Sequence, residues 1–197
     1  FFGGLSNVVT QLLFIIDLVL IGELMTDPLM VTHYKYISII PFSLLFLPRV
    51  FMAADFVSLT EKIGQKVYIR NYIKSYQLFF SLLSLLIFSI SCFFSKSILL
   101  LFGKEYVNYS DSFVILIFGI TGIFIFRGIY GNLLSSIGKM SVNYYIVSIA
   151  ILINILSNFY LIPIYGIKGA AVTSSTLMWF TGIASWVCFN YLYKKKL

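Results

Sequence analysis

The chain is 197 residues long, 60% hydrophobic and 11% charged, with a formal net charge of +7 and a mean hydropathy of +0.97. A soluble domain carries about 25% charged residues, so composition excludes a water-soluble core and points to an all-α polytopic membrane protein. The positive charge is no nucleic-acid footprint, because Lys62, Lys66, Arg70, Lys74 and Lys194 to Lys196 flank apolar stretches and so report topology.

A helix needs about 20 apolar residues to cross a bilayer, and on that basis the chain predicts six spans, at about 5–25, 31–57, 75–102, 111–136, 141–163 and 169–193. The first begins close behind Phe-Phe-Gly-Gly, with no initiator Met, and this reads as the start of a fragment. The second contains Pro41 and Pro48, seven residues apart, which perturb one region of one helix. Such a broken helix either borders a cavity, where water or protein meets the freed carbonyls, or is merely kinked for packing. Between the second and third spans, Ser58 to Lys74 alternates basic residues with Ile63, Val67, Ile69 and Ile73. That pattern suits an amphipathic helix on a leaflet and an irregular basic loop equally well.

The fourth span carries Gly119, Gly122, Gly128 and Gly131, which favour close helix packing. In the fifth, Asn154 and Asn158 stand at i, i+4 and share a face, placed either to bond a neighbouring helix or to form a polar cavity wall. Tyr106, Tyr109, Tyr144, Tyr145, Tyr191 and Tyr193, near span ends, fit an interfacial aromatic belt. Six spans put both ends on one side, and the excess of Lys and Arg on the loops of that side places both in the cytoplasm.

Asp17, Arg49, Asp55 and Arg127 interrupt apolar helices, where an ionised group costs about 2.5–3.5 kcal/mol unless water or a partner meets it. Asp55 lies near the interface and needs no further role. At 1.5 Å per residue the others fall about 12–18 Å from the cytoplasmic ends of their spans, so all three can converge on one polar patch. One reading is a hydrated cavity in which Arg49 and Arg127 receive an anionic group such as a phosphate, with Asp17 balancing charge or taking a coupling cation. Asn154 and Asn158 would then contribute to substrate binding. The other reading is that Asp17 pairs with one Arg to hold helices together.

His33 is the single histidine, and neither a phosphate-binding glycine loop nor a paired-carboxylate cluster occurs. Cys92 and Cys188 fall inside apolar spans with no CxxC spacing. The sequence gives no reason to expect catalysis, a metal or a cofactor.

The run Asn158-Phe-Tyr-Leu-Ile-Pro163-Ile-Tyr-Gly166-Ile-Lys-Gly169-Ala170-Ala171-Val-Thr173 resembles the junction between the last two helices of the polysaccharide flippases. These form a branch of the multidrug and oligosaccharidyl-lipid/polysaccharide exporter superfamily. Further likenesses come in order along the chain: Asp17 before Ile21-Gly22, Tyr34 opening the second span, Pro48 near its end, Phe102-Gly103-Lys-Glu-Tyr106, and Ser136-Ile-Gly138-Lys139. The resemblance covers nearly the whole chain, and Arg49 and Arg127 are not part of it. It implies that residues 1–197 form the C-terminal six-helix lobe of a two-lobed, twelve-helix transporter in the bacterial inner membrane, whose N-terminal lobe is missing here. The implied activity is flipping of an undecaprenyl-diphosphate-linked oligosaccharide by alternating access, for O-antigen, capsule or a similar polymer. The expected partners are that lipid-linked substrate, the membrane lipids and the missing lobe, with no nucleic acid. Rival readings are a cation-coupled multidrug exporter of the same superfamily, a membrane-embedded polymerase or acyltransferase, and a non-transporting scaffold or remnant.

Overall fold

The computed structural model describes residues 15–196, and every regular element among them is helical. Helix α1 is described over 15–24, and the remainder of the predicted first span lies outside the described residues. Next along the chain come α2 (Leu29–Leu44), α3 (Phe46–Glu61), α4 (Lys66–Leu100), a 3₁₀ turn (Lys104–Tyr109), α5 (Ser110–Gly122), a π-helical turn (Ile123–Arg127), α6 (Gly128–Ser136), α7 (Met140–Tyr165) and α8 (Ile167–Lys196). Five helical stretches among the described residues are long and apolar enough to cross a membrane: Leu29–Glu61, Lys66–Leu100, Lys104–Ser136, Met140–Tyr165 and Ile167–Lys194. The chain is an all-α polytopic membrane protein.

The five stretches fall on the predicted second to sixth spans, with two corrections. The second span is two helices, because Pro48 has no N–H to give the Leu44 carbonyl and its ring crowds that carbonyl. The chain resets there, with the Leu45 amide donating instead to Phe42 at 3.2 Å. The helix of the third span begins at Lys66, nine residues ahead of the predicted start of the span. Residues 66–74 are therefore neither a separate leaflet helix nor an irregular loop. They are the first turns of α4, and the connection from α3 shrinks to Lys62–Gln65.

α8 is the central helix, packing against α5, the π turn, α6 and α7. Small residues allow this. A Cβ on Gly119 would stand 2.7 Å from the Ser175 Cα, so α5 and α8 touch backbone to backbone. At the start of α8, Gly166 turns the chain with φ +58, a conformation that favours glycine. A Cβ on Gly169 would press into the Leu161 carbonyl, and Ala170 and Ala171 are fully buried. The expected junction of the last two helices thus forms, though α7 continues two residues beyond Pro163 before ending.

Two apolar clusters fill the interior. One, with Leu59, Ile69, Phe80, Phe124 and Phe189, lies toward the end that carries the basic loops. The other, with Ile21, Ile37, Leu99, Phe113 and Ile162, lies toward the opposite end. Thr60 bonds Ser136 at 3.2 Å and the Tyr193 hydroxyl donates to the Ile63 carbonyl at 2.8 Å, so the α3–α4 turn, the end of α6 and the end of α8 share the basic end. Of the expected belt, Tyr145 and Tyr191 are well exposed, whereas Tyr106 is buried. It packs edge-on against His33 instead, with ring centroids 5.5 Å apart.

Candidate functional site

Asp17 is fully buried, and a buried carboxylate is kept only where hydrogen bonds replace its water. Four donors from three helices do so. The Tyr34 hydroxyl of α2 donates to Oδ2 at 2.9 Å, and Ser174 of α8 donates to the same oxygen. On α7, the Asn154 and Asn158 amides donate to Oδ1 at 2.9 and 2.7 Å. The i, i+4 spacing read from the sequence is what aims both amides at one oxygen. Two donors on each oxygen fill the capacity of an ionised carboxylate, which accepts and cannot donate.

Arg127 ends the π turn. Such a bulge inserts a residue into the helical ladder and shifts the helical phase of the residues after it. The Arg127 guanidinium reaches into the bundle, where Nη1 donates to Asn143 Oδ1 at 2.9 Å and to Ser185 Oγ. Both partners are themselves held: Asn143 donates to the Gly131 carbonyl at 2.7 Å and Ser185 to the Thr181 carbonyl at 2.8 Å. Both Arg127 bonds leave from one nitrogen. Nε and Nη2 therefore have no hydrogen bond among the described residues, and neither Arg127 nor Arg49 meets a carboxylate there.

Arg49 and Arg127 line the same cavity, about 500 Å³ in volume, bordered by the end of α2, α3, the π turn, α6, α7 and α8. Asn132, Asn143, Asn154 and Ser174 supply polar wall, and Phe42, Pro48, Val147 and Leu177 supply apolar wall. This volume lies within the range of small-molecule sites. Of the two readings of the α2–α3 break, the one that borders a cavity is the one observed, since Pro48 and Arg49 are both on the wall.

The structure puts three of the five sequence-predicted residues, Arg49, Arg127 and Asn154, on the cavity wall, and joins Asp17 and Asn158 to Asn154 away from it. Asn154 is on the cavity wall. Asp17 is not, and since Asn154 and Ser174 both line the cavity and both donate to Asp17, the carboxylate sits one side-chain layer behind that wall. The pairing of Asp17 with an Arg does not form; its partners are amides and hydroxyls. Asn158 also departs from expectation, because it is fully buried, absent from the wall, and bonded to Asp17 and, at 3.3 Å, to Asn154 Oδ1. Its own Oδ1 is buried with no partner among the described residues.

Sequence reasoning missed Ser174, Asn143 and Ser185. Ser174 had a signal, the polar run Thr173-Ser174-Ser175 inside an otherwise apolar span. Asn143 and Ser185 had none, because single small polar residues are common in membrane helices.

No protein-family model and no solved structure matches the chain. Over 108 residues it is 38% identical to a protein of Staphylococcus aureus described as "Capsular polysaccharide biosynthesis protein CapF". The matched stretch covers 54% of this chain and 26% of that protein.

Proposed function

We propose that this chain is part of a membrane transporter for surface polysaccharide biosynthesis, one that moves a lipid-diphosphate-linked oligosaccharide across the bacterial inner membrane without making or breaking a bond. The observation that carries the reading is the cavity itself, lined by Arg49 and Arg127 with no carboxylate among its lining residues. Three of the five Arg127 N–H donors are left for a ligand, in the fork geometry that suits a phosphate. The capsular name of the Staphylococcus aureus relative agrees with a polysaccharide substrate. On this reading the sugar-diphosphate head enters the cavity, the polyprenyl tail stays in the bilayer, and a second lobe rocks against this one.

On this reading Asp17 takes the coupling cation, which would have to displace donors that now occupy its oxygens. Turning the Asn154 amide over would present its Oδ1 beside the carboxylate, and Asn158 Oδ1 already lacks a partner, so oxygen ligands are at hand for a hard cation. A multidrug exporter for organic cations would instead need an acidic group on the wall, and Asp17 is shielded from it by Asn154 and Ser174.

The test is complementation of a flippase-null strain with the full-length protein, with lipid-linked intermediates assayed in each leaflet. Arg49→Gln and Arg127→Gln should leave protein level unchanged while intermediates accumulate on the cytoplasmic side. Normal transfer in both variants would overturn the proposal, as would accumulation on the cytoplasmic side despite a well-expressed wild type.

A further inference from the structure

The charges outside the bilayer are strongly segregated. At one end stand eight cations, Lys62, Lys66, Arg70, Lys74, Lys139 and Lys194 to Lys196, against two carboxylates, Asp55 and Glu61. At the other end Lys35, Lys96, Lys104 and Lys168 face Glu23, Asp27, Glu105 and Asp111 in equal number. Of the two acids at the basic end, Asp55 already accepts a hydrogen bond from Tyr72 at 2.7 Å.

α4 organises this surplus. With 35 residues it is about 52 Å long at 1.5 Å per residue, against a hydrocarbon core of about 30 Å. From Lys74 to Lys96 no charge occurs, and that interval is about 33 Å, so it fills the hydrocarbon and leaves the first turns of α4 at headgroup level. On those turns Lys66, Arg70 and Lys74 recur every four residues and are all exposed. Lys62 precedes them at the same spacing, its ammonium 4.8 Å from the Tyr68 ring centre. Through the Tyr193 bond to Ile63, the end of α8 brings the exposed Lys194 alongside. The same i, i+4 row of α4 continues into the hydrocarbon as Leu78, Leu82 and Leu86, each more than half exposed, winding about 40° around the helix at each step.

A cationic stripe at headgroup height that runs into an apolar stripe at acyl-chain height has the profile of one amphiphile laid along a helix. We propose that Lys66, Arg70 and Lys74 form a binding site for an anionic phospholipid of the adjoining leaflet, its phosphate on the basic turns and its acyl chain along Leu78, Leu82 and Leu86. Four or more cations in this position are characteristic of anionic-lipid recognition. The inference is independent of any transport activity.

The experiment titrates purified full-length protein in neutral detergent with phosphatidylglycerol or with phosphatidylcholine of the same chains, counting retained lipids by native mass spectrometry. Near an anionic surface each cation contributes about 1 kcal/mol, or about fivefold. Lys66→Gln, Arg70→Gln and Lys74→Gln should each lower the preference for phosphatidylglycerol about fivefold, and the triple variant roughly 100-fold. The single variants keep the test valid if the triple does not fold. The charge-preserving pair Lys66→Arg and Lys74→Arg should retain the preference, and so should Lys35→Gln with Lys104→Gln at the other end. Glycerol phosphate, which has the headgroup charge without chains, should compete poorly. Equal retention of both lipids by the wild type, an undiminished preference in the single variants, or full displacement by glycerol phosphate would each overturn the proposal.

Discussion

Replacing Asp17 by Leu removes the acceptor of four hydrogen bonds while keeping a side chain of similar length. The hydroxyls of Tyr34 and Ser174 can rotate to other acceptors, but the Asn154 and Asn158 amides point at Oδ1 from fully buried positions. Each buried donor left unpaired costs about 1–3 kcal/mol, which gives about 2–6 kcal/mol for the two. Interhelical bonds in membranes average about 0.6 kcal/mol, and four of them give about 2.4 kcal/mol, so the lower part of that range is expected. Asp17→Asn behaves differently. Its oxygen can face Asn154 and Asn158, and its NH₂ can face the two hydroxyls, which accept as readily as they donate. We therefore expect Asp17→Leu to lose about 2–3 kcal/mol in unfolding of the purified full-length protein by sodium dodecyl sulfate, and Asp17→Asn to lose less than about 1 kcal/mol. On the proposed transport reading, Asp17→Asn is also folded yet unable to couple. Equal unfolding of Asp17→Leu and wild type would refute the claim that this carboxylate ties α1, α2, α7 and α8 together. Normal transport by Asp17→Asn would refute the need for its charge.

The other predictions concern the cavity and the close contacts. Arg127→Lys loses the Nε and Nη2 donors that would present a ligand while Nη1 holds Asn143 and Ser185, and with a charge-assisted bond worth about 1.5–3 kcal/mol, transport by the full-length protein should fall about tenfold or more. Gly169→Ala drives a methyl group into the Leu161 carbonyl, and an overpacking cost of about 1–3 kcal/mol should appear in the same detergent unfolding. Gly128→Ala would meet the Tyr76 hydroxyl, which is buried with no partner among the described residues. Tyr76→Phe alone should therefore be neutral or stabilising, and should rescue much of the Gly128→Ala loss; a double-mutant cycle showing strict additivity would disprove the contact.

The spans are legible because hydrocarbon imposes a one-dimensional rule: about 20 residues without a charge. The same rule misplaces the start of α4. In sequence, Lys66, Arg70 and Lys74 mark the end of the membrane and so suggest the end of the helix, yet a helix needs no hydrocarbon to keep its backbone bonds, and this one runs on among the headgroups. The break at Pro48 is visible because one missing N–H has one identifiable orphan, the Leu44 carbonyl. Out-of-place charges are equally visible; their neighbours are not. The spacing of Asn154 and Asn158 fixes a shared face but not the rotation of α7 about its axis, which decides whether that face meets the cavity, Asp17 or both. The π turn before Arg127 adds a phase shift that no proline or glycine pattern announces. The result is an arrangement the sequence leaves open, with Arg49 and Arg127 lining the cavity and the carboxylate behind its wall, covered by Asn154 and Ser174. This layering gives the proposed coupling a physical route. On the proposed reading, a proton or cation on Asp17 would compete with the Asn154 or Ser174 donor at its oxygen, and the displaced donor would turn toward the space where Arg49 and Arg127 would hold an anionic substrate.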